Sequence, residues 1–388
     1  MPKQKVRKPK RHIRKSILVI LTLCITLSIL VWQVPKYMSK TKLKDLGYDK
    51  ETIKIIQSED LANTIISHKY YSDYLAKSIR DKTLNQEYLS LYAAITTDRT
   101  LEAKDFLLYN RLLDKGYEED QLDNLFNNLT FYEITPLLVF DYQWDEKPYI
   151  EDCIANRDTN SETTFILSDS YLSRYKLKKE AETNVTDTLV NSTYTLNNDY
   201  VPADITDIST QYAVNGIQLT AQAADAFTSF AQVGVSTNHN FFATTGYISY
   251  DTQESAYNSF LARMSETEAD SISIRAGHSE HQTGLAVNVA STYETSVAFE
   301  ETETYKWICE NCTDYGFIQR YPAGKETITG VSDELGHLRY LGKDLAKKVK
   351  DSSLTFDEYY CLYLANWEEK SDKPSKTILD QIDDYNAH

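Results

Sequence analysis

Glycine and proline are scarce in this 388-residue chain, at 12 and 8 copies. From Lys40 to Asp152 they are nearly absent, and apolar residues recur at three- and four-residue spacing, which predicts helices. Cysteine is sparse as well, with 5 copies. Cys309-x-x-Cys312 has no second such pair, which excludes a zinc ribbon. Positive charge is short beyond the first fifteen residues: the net charge is −16, and without eight N-terminal cations the rest carries about −24. That acidity excludes nucleic acid as a partner. What is present is ordinary for a globular protein, 41% hydrophobic and 25% charged, so a disordered chain is excluded too.

The N-terminus combines Lys3, Lys5, Arg7, Lys8, Lys10, Arg11, Arg14 and Lys15 with an apolar run from Ile17 to Val34. Eighteen helical residues rise about 27 Å, enough to cross a bilayer core. The basic flank predicts a cytoplasmic tail (1–16), a single-pass membrane anchor (17–34) and an extracytoplasmic remainder at the cell membrane. Gln33 to Lys40 offers no small-x-small pair, so an uncleaved anchor is expected over a signal peptide. Leu21-Thr22-Leu23-Cys24 fails as a lipoprotein box because Leu23 is too large and the apolar run continues. Outside the membrane, Cys153, Cys309, Cys312 and Cys361 read as packing residues, in a compartment that permits a disulfide.

The helical module expected over 40–152 contains a repeat. Leu43-x-x-x-Gly47-Tyr48-Asp49, then Ile53, Ile56 and Ile65, matches Leu112-x-x-x-Gly116-Tyr117-Glu118, then Leu122, Leu125 and Ile134, sixty-nine residues on. Each copy reads as a helix closed by a glycine, followed by an acidic helix start. Two copies do not make a solenoid, and a spacer or docking module is the expected role. A polar connection follows at 153–185. Ala221 to Ala231 and Thr252 to Met264 then read as helices, and Phe241 to Tyr247 as a strand entering a turn.

Chemistry concentrates in Gly277-His278-Ser279-Glu280-His281-Gln282-Thr283-Gly284-Leu285-Ala286-Val287-Asn288-Val289 and in Glu334-Leu335-Gly336-His337-Leu338-Arg339-Tyr340. His281 sits in a turn before an alternating run that reads as a strand, and His337 opens a second apolar run. These pieces resemble the VanY-type D-alanyl-D-alanine carboxypeptidases, zinc peptidases that trim peptidoglycan stems. Leu189-Val190-Asn191, Tyr200-Val201-Pro202, Gly246-Tyr247, Ser249-Tyr250 with Gln253, Tyr315-Gly316-Phe317-Ile318 and Arg320-Tyr321-Pro322 extend the likeness over about two-fifths of the chain. The resemblance implies an α+β domain at 186–352 with a mostly antiparallel sheet and flanking helices, of the D,D-carboxypeptidase/hedgehog-like kind. It is preceded by the transmembrane helix and the small all-α module, and followed by a C-terminal helix and polar tail at 353–388.

By that resemblance His281, Asn288 and His337 hold zinc and Glu334 is the base that takes a proton from metal-bound water. Ser279, Gln253 and Arg275 are the expected substrate-binding residues, while Glu280 and His278 read as scaffold or as substrate-facing. Three positions depart from the pattern. Asn288 stands where the family has a metal-binding aspartate, which withdraws charge from the ion. Ile248 replaces an arginine that holds substrate or the oxyanion, a loss worth about 10²–10³ in rate; Arg275 and Arg339 are the candidate substitutes. Gly336 replaces a bulky Trp and should loosen the turn presenting His337. The expected function is binding of, or action on, peptidoglycan stem peptides with impaired hydrolysis, a pseudoenzyme; the alternative is an active zinc D,D-carboxypeptidase.

Overall fold

The computed structural model describes residues 35–365, save 98, 141–144, 158–174, 176–177, 184, 292–296 and 332–333. Its chain divides into two compact units, one of residues 1–100 with 122–127, the other of 101–121 with 128–388.

The first unit is helical where described, with helices at 35–46, Lys50–Ser58, Ala62–His68, Asp73–Asp81 and Leu89–Ala94. Starts are capped by short polar side chains: Asp49 accepts from the amides of Glu51 and Thr52, and Ser72 from Leu75. The first helix ends because Gly47 takes φ +118°, a conformation that costs a glycine little, and the Tyr71 ring packs where its Cβ would be. Tyr48 N then donates back to Leu43 O. The same turn recurs sixty-nine residues later, where Gly116 has φ +102° and Tyr117 N donates to Leu112 O. Leu43, Ile53, Ile56 and Ile65 of one copy and Leu112, Leu122, Leu125 and Ile134 of the other are all buried.

The second unit begins with helices Ala103–Lys115, Phe131–Val139 and Glu146–Ala155. Lys115 Nζ donates to the carbonyls of Leu137, Leu138 and Phe140, a cation set on a helix C-terminus. Short strands follow: β1 (Lys179–Glu180) and β2 (Tyr194–Thr195) pair in parallel, β3 (Ile205–Asp207) and β4 (Gln218–Thr220) antiparallel. A four-stranded antiparallel sheet carries the candidate site, with β5 (Phe241–Thr245), β6 (Ala286–Ser291), β7 (Phe317–Gln319) and β8 (His337–Tyr340) in the order β5-β6-β8-β7. Helix Ala221–Ser236 covers it, placing Phe227 and Phe230 against Phe241, Phe317, Val287 and Leu338. The fold is thus mixed helix and sheet, and its sheets are small. The four cysteines among the described residues are free thiols, and Cys309 Sγ contacts Gln319 Oε1 at 3.6 Å.

The expected membrane placement is corrected. Among the described residues no helix is long and apolar enough to cross a membrane. The apolar stretch 17–34 and the basic segment before it lie outside the described residues.

Phe227 is fully buried where helix and sheet meet. Phe227→Ala therefore removes a ring that little can refill, and urea unfolding should show a loss of about 3–5 kcal/mol.

Candidate active site

Register assembles the centre. β6 and β8 are antiparallel neighbours in which Asn288 stands opposite His337. His281 precedes β6 in a short 3-10 turn, Glu280–Thr283, capped at its start by Ser279 Oγ, which accepts from His281 N. Gly284 closes that turn at φ +66°, and a Cβ there would meet Ile205 Cδ1 at 2.6 Å. The outcome is an edge-to-face pair of imidazoles, His281 and His337, with ring centroids 4.9 Å apart. Glu334 sits one turn before β8, its Oε2 3.2 Å from His337 Nδ1. Sequence reasoning expected Gly336 to loosen this turn. Instead Gly336 O accepts from Val289 N, and a side chain at 336 would strike Val289 O at 2.7 Å. Glycine lets the turn lie tight against β6.

Behind the rings lies a buried charge cluster that the sequence reading left unassigned. Glu280 is 1% exposed. Its Oε1 lies 2.8 Å from Arg320 Nε and 2.9 Å from Arg339 Nη1. Its Oε2 faces His337 Nε2 at 3.5 Å, and neither atom has another hydrogen-bond partner. Arg320 reaches on to Asp357 Oδ2 at 2.5 Å, and Arg339 Nη2 donates to the carbonyls of Thr186 and Thr188. Asp357 Oδ1 also accepts from Asn191 Nδ2. Buried charges persist only when paired in this way. The signal was there in part: β8 is buried along all four residues, so Arg339 between Leu338 and Tyr340 demanded an internal partner.

These contacts set the protonation states. Burial alone would raise the Glu280 carboxyl, but the two guanidinium groups hold it far below the ordinary range. Burial disfavours a charged His337, yet Glu280 and Glu334 on its two nitrogens outweigh that and raise its pKa. Burial and then the neighbouring His337 push His281 down to about 4, so its ring is neutral near pH 7. Glu334 resists ionisation through burial but is held below its usual range by His337 and His281.

The remaining expected residues are engaged elsewhere. Gln253 Nε2 donates to Ile274 O, tying helix Tyr250–Leu261 to the strand-like segment before His278. Arg275 pairs with Asp270 and Glu266 and lies 4.5 Å from the Tyr175 ring centroid. Arg339 points into the charge cluster. Neither arginine is free to stand in for the one absent at Ile248, whose own amide donates to His281 O.

Whether the centre fits zinc can be judged from its donors. His281 Nδ1 and Asn288 Oδ1 are buried and without hydrogen-bond partners, as atoms reserved for a ligand would be, while His337 Nδ1 faces Glu334 Oε2. The set is nevertheless two imidazoles and an amide, with no anionic member. Among the described residues no three His, Cys, Asp or Glu side chains converge on a metal position. As it stands the donor set does not fit a tightly held divalent cation.

Residues 216–343 match the family described as VanY, D-alanyl-D-alanine carboxypeptidase. YodJ of Bacillus subtilis (strain 168) is 36% identical over 179 residues, which cover 44% of this chain and 66% of that protein, just short of two thirds. The solved LdcB LD-carboxypeptidase is 36% identical, with 44% of this chain and 84% of that one covered and a TM-score of 0.42. A variant of the vancomycin-resistance D,D-pentapeptidase VanY, solved in complex with Zn(II), is 27% identical, with 45% and 98% covered and a TM-score of 0.36. Residues 216–343 thus carry a VanY-type D-alanyl-D-alanine carboxypeptidase domain.

Glu280→Gln leaves two buried guanidinium groups short of a counter-charge and should cost about 3–5 kcal/mol at pH 7. Because the folded-state pKa of Glu280 is depressed, its contribution is full above about pH 4.3 and fades as pH falls further. Denaturant unfolding at pH 7 and pH 3 should therefore show the gap between wild type and variant narrowing in acid.

Proposed function

We propose that the VanY-like domain binds peptidoglycan stem peptides and hydrolyses them poorly or not at all. The observation that carries the reading is Asn288, an amide at the position where the family places an anionic ligand, with its Oδ1 buried and unpartnered. A neutral oxygen gives a divalent ion no charge to pair with. Removing mere supporting partners of a metal ligand already costs about 10–100-fold in affinity, so losing a ligand's charge should cost at least as much. The second handicap is Ile248, which offers no cation to an oxyanion. What remains can still recognise a peptide: the cleft beside Glu334 has a volume of about 260 Å³.

In this reading Glu334 lines the cleft where the peptide's C-terminus would lie, and the buried His337 ring holds the Glu334 carboxylate from behind. Residues 186–352 form the peptide-binding domain, and the repeat-bearing helices act as its spacer or docking module. The alternative, an active zinc D,D-carboxypeptidase, draws support from one observation, that His281, His337 and Glu334 still meet at one point.

Zinc content of the purified chain and D-alanine release from tetra- and pentapeptides separate the two. The expected outcome is substoichiometric zinc and no turnover, with Asn288→Asp raising zinc affinity by at least about 10-fold. Asn288→Asp combined with Ile248→Arg should then gain a further 10²–10³ in rate, approximately, over Asn288→Asp alone. Stoichiometric zinc with turnover in the wild type would sink the pseudoenzyme reading.

A further inference from the structure

His278 is a buried histidine that neither the charge cluster nor the imidazole pair uses. It is 2% exposed, and its Nδ1 lies 2.7 Å from the carbonyl oxygen of Asn191. A carbonyl can only accept, so Nδ1 carries a proton and Nε2 is left as a bare lone pair. Burial above all, against the pull of the Asn191 carbonyl and with help from the Lys178 and Arg275 charges, lowers its pKa to about 4. The ring is therefore neutral near pH 7, and its Nε2 has no hydrogen-bond partner.

His278 lines a cavity of about 20 Å³, with Tyr175, Ser192 and Thr329 among its other walls. The volume admits one water-sized group. Tyr175, Ile274, Gly330 and Val331 line both this cavity and the 260 Å³ cleft that Glu334 lines. The small cavity thus abuts the larger cleft, with a buried histidine that keeps an unpaired acceptor among its lining residues. An acceptor needs a donor, and leaving one dry is costly. The nearby Lys178 and Arg275 charges disfavour an ammonium group there, so the donor should be neutral. A peptide lying in the cleft presents a neutral N–H at every residue, about every 3.3–3.6 Å when extended.

We propose that His278 is a specificity-determining residue: its Nε2 accepts a hydrogen bond from one backbone amide N–H of a peptide seated in the cleft. This assignment rests on the peptide-binding reading of the site. It selects for an unsubstituted amide at one ligand position. A peptide lacking that N–H would leave the acceptor unpaired and be rejected, as sites built around a hydrogen bond reject analogues without it.

The test is calorimetric titration of the full chain with a pentapeptide ending in D-alanyl-D-alanine and with analogues in which each amide in turn becomes an ester. Against wild type, one ester should bind about 10- to 100-fold more weakly than the parent. His278→Phe should weaken the parent by a similar factor and bind that ester no more weakly than the parent. His278→Gln, whose side-chain carbonyl still accepts, should recover most of the affinity. Needing no variant, the ¹⁵N signal of His278 Nε2 in the wild type should move on adding the parent peptide and stay put with the critical ester. Peptide binding in which His278→Phe and every ester act additively, or an unmoved Nε2 signal, overturns this assignment alone and leaves the nitrogen to a buried water. Absence of binding by any of the peptides overturns both the assignment and the peptide-site reading beneath it.

Discussion

One buried carboxylate governs the geometry of this site. Glu280 has two guanidinium groups on one oxygen and a histidine ring facing the other. Removing a carboxylate from water costs several kcal/mol, and only a set of partners this complete offsets it. The cost explains why the surrounding backbone is so constrained. Arg320 must extend from the end of β7, Arg339 from the middle of β8, and Asp357 from the helical turn Phe356–Tyr359 to meet it. His337 is thereby held by its far nitrogen whether or not anything binds the near one. The imidazole pair is organised by protein charge, through Glu280 on one side of His337 and Glu334 on the other.

That constraint also separates two kinds of departure from the family pattern. Gly336 changes bulk, and the fold absorbs it by closing the turn onto Val289. Asn288 carries no charge, and its oxygen stays unpaired while Glu280 is committed to arginines. Packing errors can be relaxed by small backbone shifts. A missing charge cannot, because Coulomb compensation needs a particular group at a particular place.

Much of this was legible in the sequence, and the limits were physical. The turn-then-strand pattern around His281 and the apolar run after His337 put one ring in a turn before a strand and the other at the start of a second, because period-two alternation and a closing glycine are local signals. The helix covering the sheet and the glycine turns of the repeat were legible for the same reason. The charge cluster was not. Its members lie 37 and 40 positions apart in sequence at Arg320–Asp357 and Arg320–Glu280, and no local rule joins them. Nor could the sequence tell that Arg275 would be held by Asp270 and Glu266, since side-chain direction is decided by tertiary packing. The membrane placement failed differently: it rested on composition in a stretch outside the described residues, and no described helix supports it.

The cluster also reaches beyond the residues of the family match. The family match covers 216–343, yet Arg320 is balanced by Asp357 beyond it, and Arg339 by the carbonyls of Thr186 and Thr188 before it. A fragment trimmed to the matched residues would carry two buried cations with one anion between them. The buried charges thus find partners some thirty residues before the match begins and fourteen after it stops.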